Sequence, residues 1–200
     1  MPSKRRGVKR KDRRPVVRKP RSAANQATHV WEVISQSPRR TNRLGRAVGA
    51  ALRGGETLAL IGAMGTGKTI LVRGIAVGIG ASPASVSSPT FVFIHEYRGR
   101  LLLAHVDLYR LEASAEVESI GLTDYFSGST VVAIEWADKY PMALPKDRLQ
   151  IRLRHRTVGS RSISLTATGP TSVALLAETR HLYVRTGRKA TPKPKRKASS

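Results

Sequence analysis

Residues 62–69 read Gly-Ala-Met-Gly-Thr-Gly-Lys-Thr, a complete G-x-x-x-x-G-K-[ST] segment. The chemistry of that spacing is phosphate binding. Gly62, Gly65 and Gly67 let the backbone fold so that several N–H groups converge on one anion, and the intervening Ala63, Met64 and Thr66 contribute their own N–H groups to the cradle. Lys68 can reach the β- and γ-phosphates of a nucleotide, and the Thr69 hydroxyl can ligate Mg²⁺. A helix starting at the end of such a loop adds the positive end of its dipole.

Hydrolysis needs two further groups, a second anchor for Mg²⁺ and a residue that positions water. The usual metal anchor is a carboxylate at the C-terminal end of a neighbouring strand. Two residues qualify. Glu135 directly follows the apolar run Val131–Ile134, and Asp107 follows Leu101–Val106 within His-Val-Asp-Leu-Tyr-Arg. Thr90, beside Pro89, is the type of residue that senses a γ-phosphate in a switch loop. Trp136 is either a lid near the nucleotide or a core residue, and for His105 a structural hydrogen bond is the expected role. No Ser/His/Asp triad and no zinc-ligand spacing is visible.

The flanks of the loop predict what positions it. Thr57–Ile61 is a short apolar run that fits a buried parallel strand, and Leu71, Ile75 and Ile79 share one face of a following helix. Upstream, His29–Ile34 predicts a first strand. Ser37-Pro38 predicts a helix start, with Leu44, Val48 and Leu52 on one face and Gly54-Gly55 beyond its end. Downstream, Phe91–Tyr97 and Leu101–Val106 predict a hairpin through Arg98-Gly99-Arg100. Glu112–Ser119 predicts a short helix, and Val131–Ile134 a central strand covered on both faces. Leu149–Leu153 and Ile163–Thr168 predict two more strands and Thr171–Tyr183 a last helix. The expected fold is α/β: a P-loop NTPase with a mixed, mostly parallel sheet sandwiched by helices.

Charge divides the chain. Its net charge is +23. Residues 1–27 hold eleven Lys/Arg and one Asp (+10), residues 185–200 hold seven Lys/Arg and no acid (+7), and residues 28–184 carry the remaining +6. The two ends lack apolar periodicity, and both contain proline. Such segments bury too little surface to offset their ordering entropy. The expected organisation is therefore a basic disordered tail (1–27), an ATPase domain (28–184) and a second basic disordered tail (185–200), with the tails able to serve as electrostatic arms for RNA. The absence of cysteine excludes disulfides and thiolate metal sites. No apolar run has the length of a membrane-spanning helix, and a cytoplasmic setting without membrane partners is expected.

Taken together, Gly62–Thr69, Val72-Arg73-Gly74, Ser88-Pro89-Thr90-Phe91, His105–Arg110, Glu135-Trp136 and Leu144-Pro145 occur in the order found in the TsaE ATPases, which the chain resembles from about residue 30 to 169. The resemblance implies an ATPase that uses ATP and Mg²⁺ in N6-threonylcarbamoyladenosine synthesis on tRNAs reading codons that begin with A. It implies action with a TsaD–TsaB pair, which hydrolysis resets between turnovers, and contact with tRNA indirectly or through the basic tails. It further implies Lys68 and Thr69 as holders of phosphate and Mg²⁺, Glu135 as a Mg²⁺ ligand, Thr90 as part of a switch loop and Asp107 as important for hydrolysis. Thr41, in a Thr-x-x-Leu-Gly stretch, is implied near the nucleotide base. Two features depart from that family. Ala63 stands where an acidic residue is usual, and the basic tails are additional. Two other functions suit a phosphate loop: a kinase of a small-molecule acceptor, using Arg152, Arg154 and Arg156, and a nucleotide-gated RNA-binding adaptor.

Overall fold

A computed structural model describes residues 29–82 and 93–189. The tail segments 1–28 and 190–200, and the stretch 83–92 that contains Thr90, lie outside the described residues. The strands are β1 (His29–Ser35), β2 (Thr57–Ile61), β3 (Ile94–Arg98), β4 (Leu102–Asp107), β5 (Val131–Glu135), β6 (Leu149–Thr157) and β7 (Ser160–Ala167). The helices are α1 (Pro38–Ala51), α2 (Lys68–Gly78), α3 (Ser114–Ser119) and α4 (Pro170–Lys189).

The strands form one seven-stranded sheet in the order β1-β7-β6-β2-β5-β4-β3. The pairs β6–β2, β2–β5 and β5–β4 are parallel. The outer pairs β1–β7, β7–β6 and β4–β3 are antiparallel. A parallel centre must be covered on both faces, since its connections cross over it. The sequence meets that demand by alternation within runs that are apolar throughout. In β2, Leu58 and Leu60 face the cluster under α1, α2 and α4, while Ala59 and Ile61 face the cluster on the α3 side. In β5, Val131 and Ala133 take the first face and Val132 and Ile134 the second.

Helix α1 fixes the height of the phosphate-loop helix. Its N-cap is Ser37, whose side chain accepts the Arg40 N–H, and Pro38 occupies the first turn, where no N–H is needed. Leu44 and Val48 are fully buried and Leu52 nearly so, as the spacing predicts. The contact with α2 is backbone against backbone. A Cβ on Gly45 would lie 2.2 Å from the Leu71 carbonyl oxygen, and one on Gly74 would lie 2.3 Å from that of Asn42. Any larger residue there would push α2, and the loop at its start, away from α1.

Several boundaries differ from those the sequence predicts. The predicted strand Phe91–Tyr97 falls partly outside the described residues, and β3 begins at Ile94. Strands β6 and β7 run on to Thr157 and back to Ser160, a longer hairpin than the apolar positions alone indicate. Residues 154–159 are exposed, so periodic burial gives no signal for them. Helix α4 continues to Lys189, five residues into the stretch 185–200 assigned to a disordered tail. Arg185 lies toward the negative end of the helix dipole, so its charge favours the last turns instead of ending them. The N-terminus of α4 is held by Asp147, whose carboxylate accepts the Thr171 N–H at 2.7 Å and the Ser172 N–H at 3.0 Å.

Candidate functional site

The parallel centre of the sheet brings three strand ends together. Glu135 pairs in register with Leu60, the penultimate residue of β2, and with Asp107, the last of β4. The glycine loop leaves β2 at this edge. A crevice beyond the C-terminal ends of parallel strands is where open α/β sheets bind ligands. Here a groove of about 310 Å³ gathers Lys68, Thr69, Asp107, Tyr109, Glu135 and Trp136 beside Met64, Gly65 and Gly67.

The loop geometry depends on glycine at its first position. Gly62 has φ 154°, and a Cβ there would lie 2.5 Å from the Leu153 carbonyl oxygen of β6. Thr66 closes the turn: its hydroxyl and its N–H both reach the Ala63 carbonyl, at 2.8 and 3.4 Å. Gly67 is the N-cap of α2 and offers no side-chain acceptor, so the first N–H groups of the helix remain available to an anion.

Lys68 is 4% exposed. Its Nζ donates to the carbonyls of Gly62 at 2.7 Å and Ala63 at 3.1 Å, and it lies 3.9 Å from the centroid of the Trp136 ring. Burial lowers its pKa from the ordinary lysine value, opposed by the charges of Glu135, Asp107 and Asp138. The ammonium is thus poorly solvated and rests on neutral acceptors, a position from which a phosphate oxygen offers a stronger partner.

Glu135 is 3% exposed and both its oxygens are engaged. Oε2 accepts the Thr69 hydroxyl at 3.2 Å and Oε1 lies 2.9 Å from His105 Nε2, itself buried. The ring holds the carboxylate plane, which leaves Oε2 aimed at Thr69. His105 therefore has the structural hydrogen bond expected of it, and the partner is the carboxylate. Asp107 lies beside this pair. Burial raises its pKa above the ordinary carboxylate value; the N–H of Tyr109, bonded to Oδ1 at 2.9 Å, opposes the shift, and the charge of Glu135 adds to it. Trp136 has φ 60°, a left-handed conformation costly for a bulky residue. That turn ends β5 sharply and sets the indole over Lys68 and 4.9 Å from the Tyr109 ring.

The remaining sequence candidates fall around this groove. Thr41 is fully buried behind the loop, where its Oγ1 lies 2.9 Å from the Ser35 hydroxyl and its methyl faces Gly67. Thr90 lies outside the described residues. Arg152 and Arg154 line a neighbouring groove with Gly62, Ala63, Thr66 and Trp136. Arg161 carries no local signal of a site residue. Its Nε nevertheless donates to the Thr66 carbonyl at 2.8 Å, bracing the loop from β7, 95 positions away in sequence. Only the strand order, which a local pattern does not reveal, brings it there.

The oxygen donors at the groove suit a hard divalent ion. A hydroxyl and a carboxylate oxygen 3.2 Å apart match the roughly 3 Å separation of adjacent ligands about octahedral Mg²⁺. Among the described residues no group of three His, Cys, Asp or Glu is arranged to hold a metal, so phosphate oxygens and water must complete any such coordination.

A strand, a glycine loop, a helix with an open N-terminus and a carboxylate on the adjacent parallel strand define a P-loop NTPase fold. The comparisons with known proteins agree. The family described as "Threonylcarbamoyl adenosine biosynthesis protein TsaE" matches residues 35–163. The tRNA threonylcarbamoyladenosine biosynthesis protein TsaE of Bacillus subtilis is 39% identical over 140 residues, 70% of this chain and 85% of that protein. Its namesake in Treponema pallidum is 37% identical over 132 residues, 66% of this chain and 97% of that protein. The crystal structure of Bacillus subtilis YdiB superposes with a TM-score of 0.66 at 31% identity, covering 77% of this chain and 96% of that one. The chain belongs to the TsaE family.

Proposed function

We propose that this protein is a Mg²⁺-dependent ATPase that serves N6-threonylcarbamoyladenosine modification of tRNA in the cytoplasm, acting with a TsaD–TsaB-type complex. The observation that carries this reading is the Thr69–Glu135 contact at 3.2 Å, in the same groove as Lys68. It supplies the two protein ligands a nucleotide-bound Mg²⁺ requires, Thr69 Oγ1 and Glu135 Oε2. When bound, Mg²⁺ neutralises charge on the β- and γ-phosphates and on the leaving oxygen.

The chain's own residues do the rest. The loop N–H groups and the N-terminus of α2 bind the phosphates. Lys68 exchanges the Gly62 and Ala63 carbonyls for phosphate oxygen, which stabilises charge that grows toward the transition state. Asp107 orients the attacking water from beside Glu135, and Thr90 belongs to the segment that senses the γ-phosphate. The names of the relatives and the site's geometry both support this assignment. Ala63 removes a usual acidic group without removing a phosphate contact, because the loop binds through backbone.

The test is ATP turnover by the purified chain, alone and with TsaD–TsaB, followed by assay of the modified nucleoside in tRNA. Turnover stimulated by the complex, and modified tRNA that depends on this chain, are expected. Turnover that instead requires a small-molecule acceptor points to a kinase, and nucleotide binding without any turnover points to an adaptor; either result overturns the proposal.

A further inference from the structure

A second concave surface lies on the outer side of α1 and α2, and the proposed ATPase chemistry makes no use of it. Arg39, Arg43 and Arg46 from α1 and Arg73 from α2 surround a groove of about 530 Å³ floored in part by Ile70. The spacing 39, 43, 46 places three of these arginines along one face of α1. Neither helix contains an acidic residue. Among the described residues the ion pairs are Arg98–Glu96 and His105–Glu135, so all four groove arginines lack a carboxylate partner there. Arg39, Arg46 and Arg73 are exposed. Arg43 is half-buried: its guanidinium carbon lies 4.5 Å from the Tyr183 ring centroid, and its Nε is buried with no hydrogen-bond partner among the described residues.

Four like charges about one groove make a positive field that attracts an anion. All four are arginine, whose planar fork matches the two free oxygens of a phosphate. Arg43 packs against α4 at Tyr183 and Gly187, which fixes its guanidinium at the edge of the groove. We propose that the α1–α2 groove binds the phosphodiester backbone of RNA. Backbone contacts position nucleic acid without reading its sequence, and the exposed Arg39, Arg46 and Arg73 fit that role. The inference is independent of the ATPase reading, because it concerns a surface whose arginines do not touch the loop.

The experiment uses the full-length chain. Binding of a fluorescent single-stranded oligouridylate is measured across a salt series for the parent, for Arg46→Gln/Arg73→Gln, and for Arg98→Gln/Arg156→Gln, a control of equal charge elsewhere on the surface. Removing one arginine–phosphate pairing flattens the slope of log K against log salt by roughly 0.7 for a single strand, so the groove variant is expected to flatten by roughly 1.4 and the control not at all. Binding of poly-L-glutamate and of an ATP analogue should match the parent in both variants. Equal weakening in groove variant and control, or none in either, overturns the proposal in favour of diffuse attraction by the tails. Loss of polyglutamate binding with RNA binding retained assigns the groove to an acidic protein, and a fall in ATP-analogue affinity assigns it to the nucleotide; each also overturns the proposal.

Discussion

Replacing Glu135 by glutamine tests the metal assignment most directly. The side chain keeps its size, and its amide oxygen can still accept the Thr69 hydroxyl now held at 3.2 Å. Its amide NH₂ then faces His105 Nε2, which can accept if the ring carries its proton on Nδ1. That tautomer leaves the buried Nδ1–H without a partner among the described residues, so the change carries a local cost, and a thermal melt of the variant checks that the fold survives. What is lost is one negative charge. Against a metal–phosphate group of unit effective charge about 4 Å away, at an effective dielectric constant near 20, that charge contributes about 4 kcal/mol. If expressed in the transition state, this corresponds to a fall in turnover of about three orders of magnitude. The assay is ATP turnover against Mg²⁺ concentration, paired with binding of a fluorescent ATP analogue with and without Mg²⁺. The half-maximal Mg²⁺ concentration should rise steeply, while metal-free nucleotide binding through the loop and Lys68 stays near the parent value. The reasoning is refuted if Asp107→Asn raises the Mg²⁺ requirement and Glu135→Gln leaves it unchanged.

Other expected outcomes follow from individual interactions. Lys68→Ala should abolish hydrolysis and remove most ATP affinity by equilibrium titration, because it deletes the ammonium that now rests on the Gly62 and Ala63 carbonyls; near-parent turnover would show that the loop is not the active site. Asp107→Asn should lower turnover yet raise the thermal midpoint at neutral pH. Burial raises the folded-state pKa of this carboxyl, so the stability it contributes is present below the unfolded value of 3.8 and is lost as pH rises through the folded value. At neutral pH the ionised form is a cost, and the gain from Asn should vanish in melts done below pH 3.8. Asp147→Ala should destabilise the fold by about 1–2 kcal/mol in urea melts, since it strips the cap from α4. Burial pushes this carboxyl up, but the hydrogen bonds from Ser172 and Thr171 outweigh it and leave its pKa below the ordinary value. The parent's advantage should therefore hold above pH 3.8 and fade as pH falls through the lowered folded value.

Residues 57–79 illustrate what is legible in the chain. A buried strand, a glycine loop and an amphipathic helix are local objects, set by backbone freedom at a few glycines and by side-chain periodicity. Their boundaries in the structure, Thr57–Ile61 and Lys68–Gly78, lie where those signals change. The same holds for Glu135, which is marked by its place at the end of a wholly apolar run. The family motifs, matched over residues 35–163, extend that legibility to the fold. Thr90 and the tail segments 1–28 and 190–200 lie outside the described residues, so their expected roles stand on sequence alone.

Contacts between distant segments were decided by the tertiary structure. The strand order sets Asp107 in register with Glu135 and puts β6 and β7 beside the loop, which is how Leu153 comes to demand glycine at position 62 and Arg161 comes to hold Thr66. The His105–Glu135 bond joins residues 30 apart, and nothing in either local pattern selects that partner. Arg39, Arg43 and Arg46 lie on α1, and Arg73 lies on α2, 27 positions or more away in sequence. They become one groove only because Gly45 and Gly74 let α1 and α2 meet at backbone distance. Periodicity records which face of an element is buried. It carries no information about which other element buries it, because apolar attraction is non-directional and the partner is chosen by packing of the whole chain.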